Sequence, residues 1–280
     1  MLRLNGLMDK LGDVLKKDKF GSEFKNLLKN HSLSVSEKIG GTYRLTNGVS
    51  EFTVNTSKAR SEYERSPSPE LLSSLMQKLE QEIDMEIRMV SFTNGQEFLR
   101  LAIMREKDLR PGMISAEFAG GLCKVIVYTA DDLELRTLDE AVLKRWGMPR
   151  EVVFSVADRN MCRLLAKTKV KKTDLAEGVN AMEFDLPCKH LGVSFILCND
   201  FRRVVYDYMG AKFLVVAPSC ESILILENIT NNILEKLGKE IVREYRRSSK
   251  PLTTDVFLFT PEKIQIAGHF SVKNDRKERY

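Results

Sequence analysis

"KFLVVAPSCESILILEN", residues Lys212–Asn228, is the densest apolar run in the chain. Two blocks of strand-forming residues, Phe213–Val216 and Ile223–Leu226, flank Pro218-Ser219-Cys220-Glu221-Ser222. Proline and small polar residues between two such blocks have the composition of a turn, which they suit for backbone reasons. A nucleophile elbow also follows a strand, but it needs glycines beside the nucleophile and a helix straight after it. Here a second strand block follows, so the stretch reads as a buried hairpin with Cys220 at its corner. A short strand-to-strand loop requires antiparallel pairing, because a parallel pair needs a crossover of roughly a dozen residues.

The segments around this hairpin follow the same pattern. Upstream, "VSFILCN" is an apolar run and "NDFRRVVYDYMG" reads as a helix closed by Gly210. Downstream, Ile233-Leu234, Leu237, Ile241-Val242 and Tyr245 define one face of a long helix. "DVFLFTPEKIQIA" then reads as another hairpin turning at Thr260-Pro261-Glu262-Lys263. Further back, "DEAVLKRWGMPREVVFSVADRNMCRLLAK" gives two helices broken at Gly147-Met148-Pro149. "LCKVIVYTADDLELRTL" places Asp131-Asp132 between strand-like runs, "TKVKKTDLAEGVN" reads as a charged surface connector, and "MEFDL" as a strand.

In the first half, amphipathic stripes run through Leu4, Leu7, Met8, Leu11, Val14-Leu15 and then Phe24, Leu27 and Leu28. "GGTYRLTNGVSEFTVN" alternates on either side of Asn47-Gly48, a hairpin signal. Ser68, Pro69 and Glu70 announce a helix with an apolar stripe at Leu72, Leu75-Met76, Leu79 and Ile83. "IRMVSF" and "FLRLAIMRE" then read as strands. Residues 106–121, with Pro111-Gly112 and Gly120-Gly121, form a loop-rich boundary. The expected fold is α+β, with antiparallel hairpin-built sheets packed against helices. Two subdomains are expected, 1–115 and 116–270, with a polar tail over 271–280.

Composition removes several function classes. Hydrophobic residues at 43% and charged residues at 30% are those of an ordinary globular chain able to bury a core. A net charge of +5 is mild for a dedicated nucleic-acid binder, which concentrates its basic residues. No run of about 18 apolar residues occurs, so no membrane-spanning helix is expected. Asp9, Lys10 and Asp13 interrupt the apolar stretch a secretory leader would need, and the expected location is cytoplasmic. Five dispersed cysteines and three isolated histidines form no metal-ligand spacing, so neither metal nor cofactor is expected. No phosphate-binding glycine motif precedes a helix.

The remaining candidates are few. Cys220 is a possible nucleophile if His190 or His269 approaches it and lowers its pKa. Cys188-Lys189-His190 is the closest Cys/His pair and reads as a loop between strands. Carboxylates cluster at Asp131-Asp132, at Glu82-Asp84-Glu86 and at Asp200, where capping and solubility account for them. Arg243, Arg246, Arg247 and Lys250 complete a helix whose negative end they suit. Arg202, Arg203, Arg243, Arg246 and Arg247 are the candidate binding residues.

"FILCNDFRRVVYDYMGAKFLVVAPSCESILILEN" resembles the YtpQ-like family of uncharacterised bacterial proteins. The matching features are an apolar strand running into Asn199-Asp200, a helix, a strand, Pro218 and the block Ser222–Leu226. "EIRMVSF", Glu86–Phe92, is similar to that family's arginine-containing strand, and Thr230–Ala267 keeps its order of elements. The likeness covers about 180–267 and, loosely, 1–110; Cys220-Glu221 departs from it. It implies a cytoplasmic α+β protein and no catalytic residue. The expectation is therefore a non-enzymatic protein-binding or regulatory module. The alternatives are a nucleic-acid binder using the five arginines, or a thiol enzyme centred on Cys220.

Overall fold

The computed structural model describes residues 18–48, 51–129, 135–176, 179–185, 189–227 and 231–271. The stripe over Leu4–Leu15, the Asp131-Asp132 pair, Cys188 and nearly all of the polar tail lie outside these residues. The fold is α+β, and the chain divides into two units, Met1–Asn94 and Gly95–Tyr280.

In the first unit, α1 (Lys19–Asn30) starts at Asp18, whose carboxylate accepts the Gly21 N–H at 2.9 Å. Strands β1 (Ser34–Ile39), β2 (Thr42–Thr46) and β3 (Glu51–Asn55) form an antiparallel meander. Helices α2 (Ser57–Arg65) and α3 (Pro69–Arg88) follow. Phe20, Phe24 and Leu28 of α1 pack with Leu45, Phe52 and Val54 of the sheet and Leu79 and Ile83 of α3. Ser68 caps α3 as its sequence announces, accepting the Leu71 N–H at 3.1 Å. The helix then runs straight through "EIR" to Arg88. The strand expected from "IRMVSF" is therefore helix and turn. Leu75, Leu79, Ile83 and Ile87 continue one four-residue stripe into the core, so helical burial prevails over β-branched composition.

The second unit opens with β4 (Leu99–Arg105), β5 (Ser115–Ala119) and β6 (Leu122–Tyr128), in the order β4-β6-β5, with β7 (Arg136–Thr137) also on β6. Residues 106–121 therefore lie inside a sheet rather than between domains. A division at 115 would cut the β4–β6 ladder, which is why the break falls at 94/95. Helices α4 (Glu140–Trp146) and α5 (Arg150–Lys167) separate at Gly147, whose φ of 64° closes α4 in the left-handed conformation open to glycine.

The connector "TKVKKTDLAEGVN" is an edge hairpin, β8 (Lys169–Ala176) with β9 (Val179–Asp185), rather than a loop. Its register sets Lys169 opposite Asp185 and Lys171 opposite Glu183. Such a charged ladder is tolerated because one flank of β8 forms the edge of the sheet. "VSFILCN" is a 3₁₀ turn at Val193–Leu197. Val193, Ser194, Phe195 and Ile196 are all buried, and a short run apolar on every side has no period to separate helix from strand.

After α6 (Phe201–Met209) come β10 (Phe213–Ser219), β11 (Ser222–Glu227), α7 (Asn231–Arg247), β12 (Asp255–Phe259) and β13 (Ile264–His269). They complete a six-stranded sheet, β13-β12-β10-β11-β9-β8, in which every pair is antiparallel. The deciding hairpin forms as read, with Leu214 opposite Leu226 and Val216 opposite Leu224. Alternation gives β10 two apolar faces. Leu214 and Val216 pack against Ile241 of α7. Phe213 stacks on Phe259, 5.1 Å between centroids, with Phe201 of α6 against both. Helices α6 and α7 thus cover opposite faces of one sheet.

Candidate functional site

The α6 sequence FRRVVYDYM buries Phe201, Val205 and Met209 at four-residue spacing. The same spacing puts Arg202 one turn from Tyr206 on an outer face. The Arg202 guanidinium lies 5.7 Å from the centroid of Phe259 and donates to the Pro261 carbonyl at 3.0 Å. A cation over an aromatic face, held at a second point by a carbonyl, has a fixed direction. Gly210 ends α6 with a φ of 78°, a conformation that suits glycine, so the chain turns at once into β10.

The β12–β13 turn is equally fixed. Thr260 N–H donates to the Lys263 carbonyl, and Lys263 N–H donates back to Thr260 Oγ1. The Thr260 hydroxyl also holds the Glu262 carboxyl below the usual glutamate range, helped by its own backbone N–H and by the charges of Lys212 and Arg202.

Between α6 and this turn lies a pocket of about 240 Å³. It is lined by Gly210, Ala211 and buried Phe213, by Thr260 and Pro261 of the turn, and by Arg202, Arg203 and Tyr206 of α6. Tyr206 is 57% exposed, an aromatic ring left in water. Arg203 points away from the core and pairs with Asp200 at 3.4 Å. The site thus offers an apolar hole, an exposed ring and two cations within two helical turns. It suits an apolar or aromatic group carrying negative charge.

The five candidate arginines divide. Arg202 and Arg203 meet at the pocket, whereas Arg243, Arg246 and Arg247 stand exposed on α7, across the sheet. Arg243 pairs with Glu240 on its own helix. Sequence patterns place Pro261 in a turn and Tyr206 in a helix but give neither a functional role. The available signal was an aromatic residue four positions after Arg202 on the polar side of an amphipathic helix.

Cys220 sits at the two-residue turn of the opening hairpin, and its N–H donates to the Lys250 carbonyl at 3.0 Å. Burial pushes its thiol up; Lys250 and Arg105 act against that, while Glu221 and Asp108 add to it. No described histidine is among the groups acting on the thiol. His269 is exposed on β13, opposite Asp255, and the side chain of His190 lies outside the described residues. Buried Ser219 alongside holds its hydroxyl 3.4 Å from Glu244 Oε1 and accepts the Glu221 N–H. A thiol raised in this way reacts slowly. At neutral pH, iodoacetamide is expected to alkylate Cys220 at least several-fold more slowly than free cysteine in a competition assay, speeding up as pH rises.

His31 lies between Glu80 and Asp84 in the first unit, at 3.3 and 3.5 Å. Among the described residues no group of three or more His, Cys, Asp or Glu is placed to hold a metal ion. Nor is any helix among them long and apolar enough to cross a membrane. Comparison with protein-family models, with curated proteins and with solved structures finds no match for this chain.

Proposed function

We propose that this protein is a non-enzymatic binding module that holds a protein partner in the cleft between α6 and the β12–β13 turn. The partner segment places an apolar or aromatic side chain in the pocket, with a carboxylate beside it for Arg202 and Arg203. The observation that carries the reading is the convergence of two arginines and an exposed tyrosine on a pocket also lined by Phe213, Ala211 and Pro261. Volume favours a side chain over a cofactor, because pockets that enclose whole small molecules run to roughly 300–1,000 Å³. Tyrosine and arginine are also the residue types that carry most binding energy at protein interfaces. Cytoplasmic location and kinship with the YtpQ-like proteins belong to the same proposal.

The competing readings have less support. Nucleic-acid binding through five arginines calls for one basic surface, and these five lie on two faces of a sheet. A thiol enzyme at Cys220 calls for a lowered pKa, and that thiol is raised. Selection from a displayed random-peptide library tests the proposal. The enriched sequences should pair an aromatic or long aliphatic residue with a nearby Asp or Glu. Enrichment of basic sequences, or of none, would contradict it.

A further inference from the structure

The six-stranded sheet ends in two unlike edges. Strand β8 carries Lys169, Lys171 and Lys172, charged side chains of the kind that discourage a further strand from pairing. The other edge, β13, carries no charge from Ile264 to Gly268. Across the β12–β13 turn, Thr260 N–H donates to the Lys263 carbonyl at 3.0 Å. Backbone bonding alternates along an antiparallel pair. Lys263 and Gln265 therefore turn their N–H and C=O groups to β12, and Ile264 and Ile266 turn theirs away from it. No other described strand pairs with β13, and Ile266 is 50% exposed.

This edge adjoins the cleft. Ile264 stands opposite Phe259 and Ile266 opposite Phe257, so both isoleucines share the sheet face that α6 covers. Pro261, which lines the pocket, precedes Ile264 by three residues and so lies within roughly 11 Å of it. At the far end the β5–β6 turn borders the same face. Phe118 packs on Phe257 with 6.2 Å between centroids, and a Cβ added to Gly120 would come within 3.3 Å of Ile266 Cδ1. Ala267 is an extra residue in the ladder, a bulge that ends the regular edge. The open edge is therefore Ile264–Ile266, with the pocket at one end. Around that end Arg202, Lys212 and Lys263 outnumber the Glu262 carboxylate.

We propose that the partner segment binds as an extended, acidic strand added to β13, a refinement that rests on the cleft being its binding site. Its backbone pairs with the N–H and C=O groups of Ile264 and Ile266. Its alternate side chains fall on the α6 face, where one covers Ile266 and the aromatic or long aliphatic one reaches the pocket past Pro261. Its carboxylates meet Arg202, Lys212 and Lys263. Main-chain bonds supply affinity in this mode, and the pocket supplies selectivity. A second copy of this chain is a poorer occupant, because pairing β13 with itself lines one seam with these cations from both copies.

The test titrates the full chain with a selected acidic–aromatic peptide and reads amide hydrogen exchange by NMR. The Ile264 and Ile266 amides are expected to exchange at least about tenfold more slowly in the complex, while Gln265, already bonded to β12, changes little. N-methylation of single peptide residues should cost at least about tenfold in affinity at the alternate positions facing β13, and stay within about twofold at those between. The modification sits on the peptide, so no protein variant has to fold. A peptide that shifts the pocket residues, yet leaves both amides exchanging freely and tolerates N-methylation throughout, would overturn the added strand and leave the cleft reading standing. A library that yields no such peptide would remove both. A dimer in sedimentation whose Ile264 and Ile266 amides are protected before peptide is added would also overturn the inference, by giving the edge to a second copy.

Discussion

Replacing Phe201 by alanine is expected to lower the unfolding free energy of the second unit by about 3–5 kcal/mol. The Phe201 side chain is fully buried. Its ring centroid lies 5.5 Å from that of Phe259, 6.0 Å from Phe213 and 6.3 Å from Phe184. Truncation leaves a cavity among three rings carried by three strands, β9, β10 and β12, and rings fixed by a ladder have little room to collapse into it. Typical domains are stable by about 5–15 kcal/mol, so the loss is a large share of the total. A urea titration should show a lower midpoint with an unchanged slope, and Phe201→Leu should recover most of the difference. A loss under about 1 kcal/mol would mean that α6 is not seated on this sheet as described.

Tyr206→Ala should do the opposite, leaving stability nearly unchanged and abolishing most binding. The ring is 57% exposed, so its removal should alter the unfolding free energy by no more than about 0.5 kcal/mol. If it is an interface anchor, affinity for an acidic–aromatic peptide drawn from the selection should fall at least about 30-fold, equivalent to about 2 kcal/mol. Arg202→Lys keeps the charge but loses the planar group over Phe259, and a fall of roughly tenfold is expected. Arg243→Ala and Arg247→Ala, across the sheet, should stay within about twofold. Titrations by isothermal calorimetry would resolve all four. Equal losses at the α7 arginines would mean that the binding surface is not the cleft.

Much of this architecture was legible from residue patterns. The hairpin at Phe213–Glu227, the Gly210 stop, the Gly147 break and the β12–β13 turn all carry local signals: alternation, a left-handed glycine, or a turn composition. Where the sequence misled, two local codes competed. "EIR" has β-branched and long side chains that suit either state, and the four-residue stripe from Leu75 to Ile87 decided for helix. "TKVKKTDLAEGVN" looked like a solvated connector because its charged residues fall on an edge hairpin, where Lys169 is in register with Asp185 and Lys171 with Glu183. "VSFI" is buried on all sides and so shows no period.

The cleft was half legible. Arg202 and Arg203 stood out as adjacent cations, but nothing local tells which face of a sheet a helix will cover. Only the alternation of Phe213 with Leu214, together with the pairing of β10 between β11 and β12, sends α6 and α7 to opposite sides. Sequence spacing finds a ladder or a helical stripe readily; it does not find a site assembled from a helix and a distant turn.

The most direct measurement is an amide chemical-shift map of isotope-labelled protein titrated with a selected acidic–aromatic peptide. Shifts concentrated on 202–213 and 259–263, and absent from the Tyr206→Ala variant, are the predicted result. Shifts centred on the α7 arginines or the Cys220 corner, with 202–213 unmoved, would contradict the cleft as the binding surface.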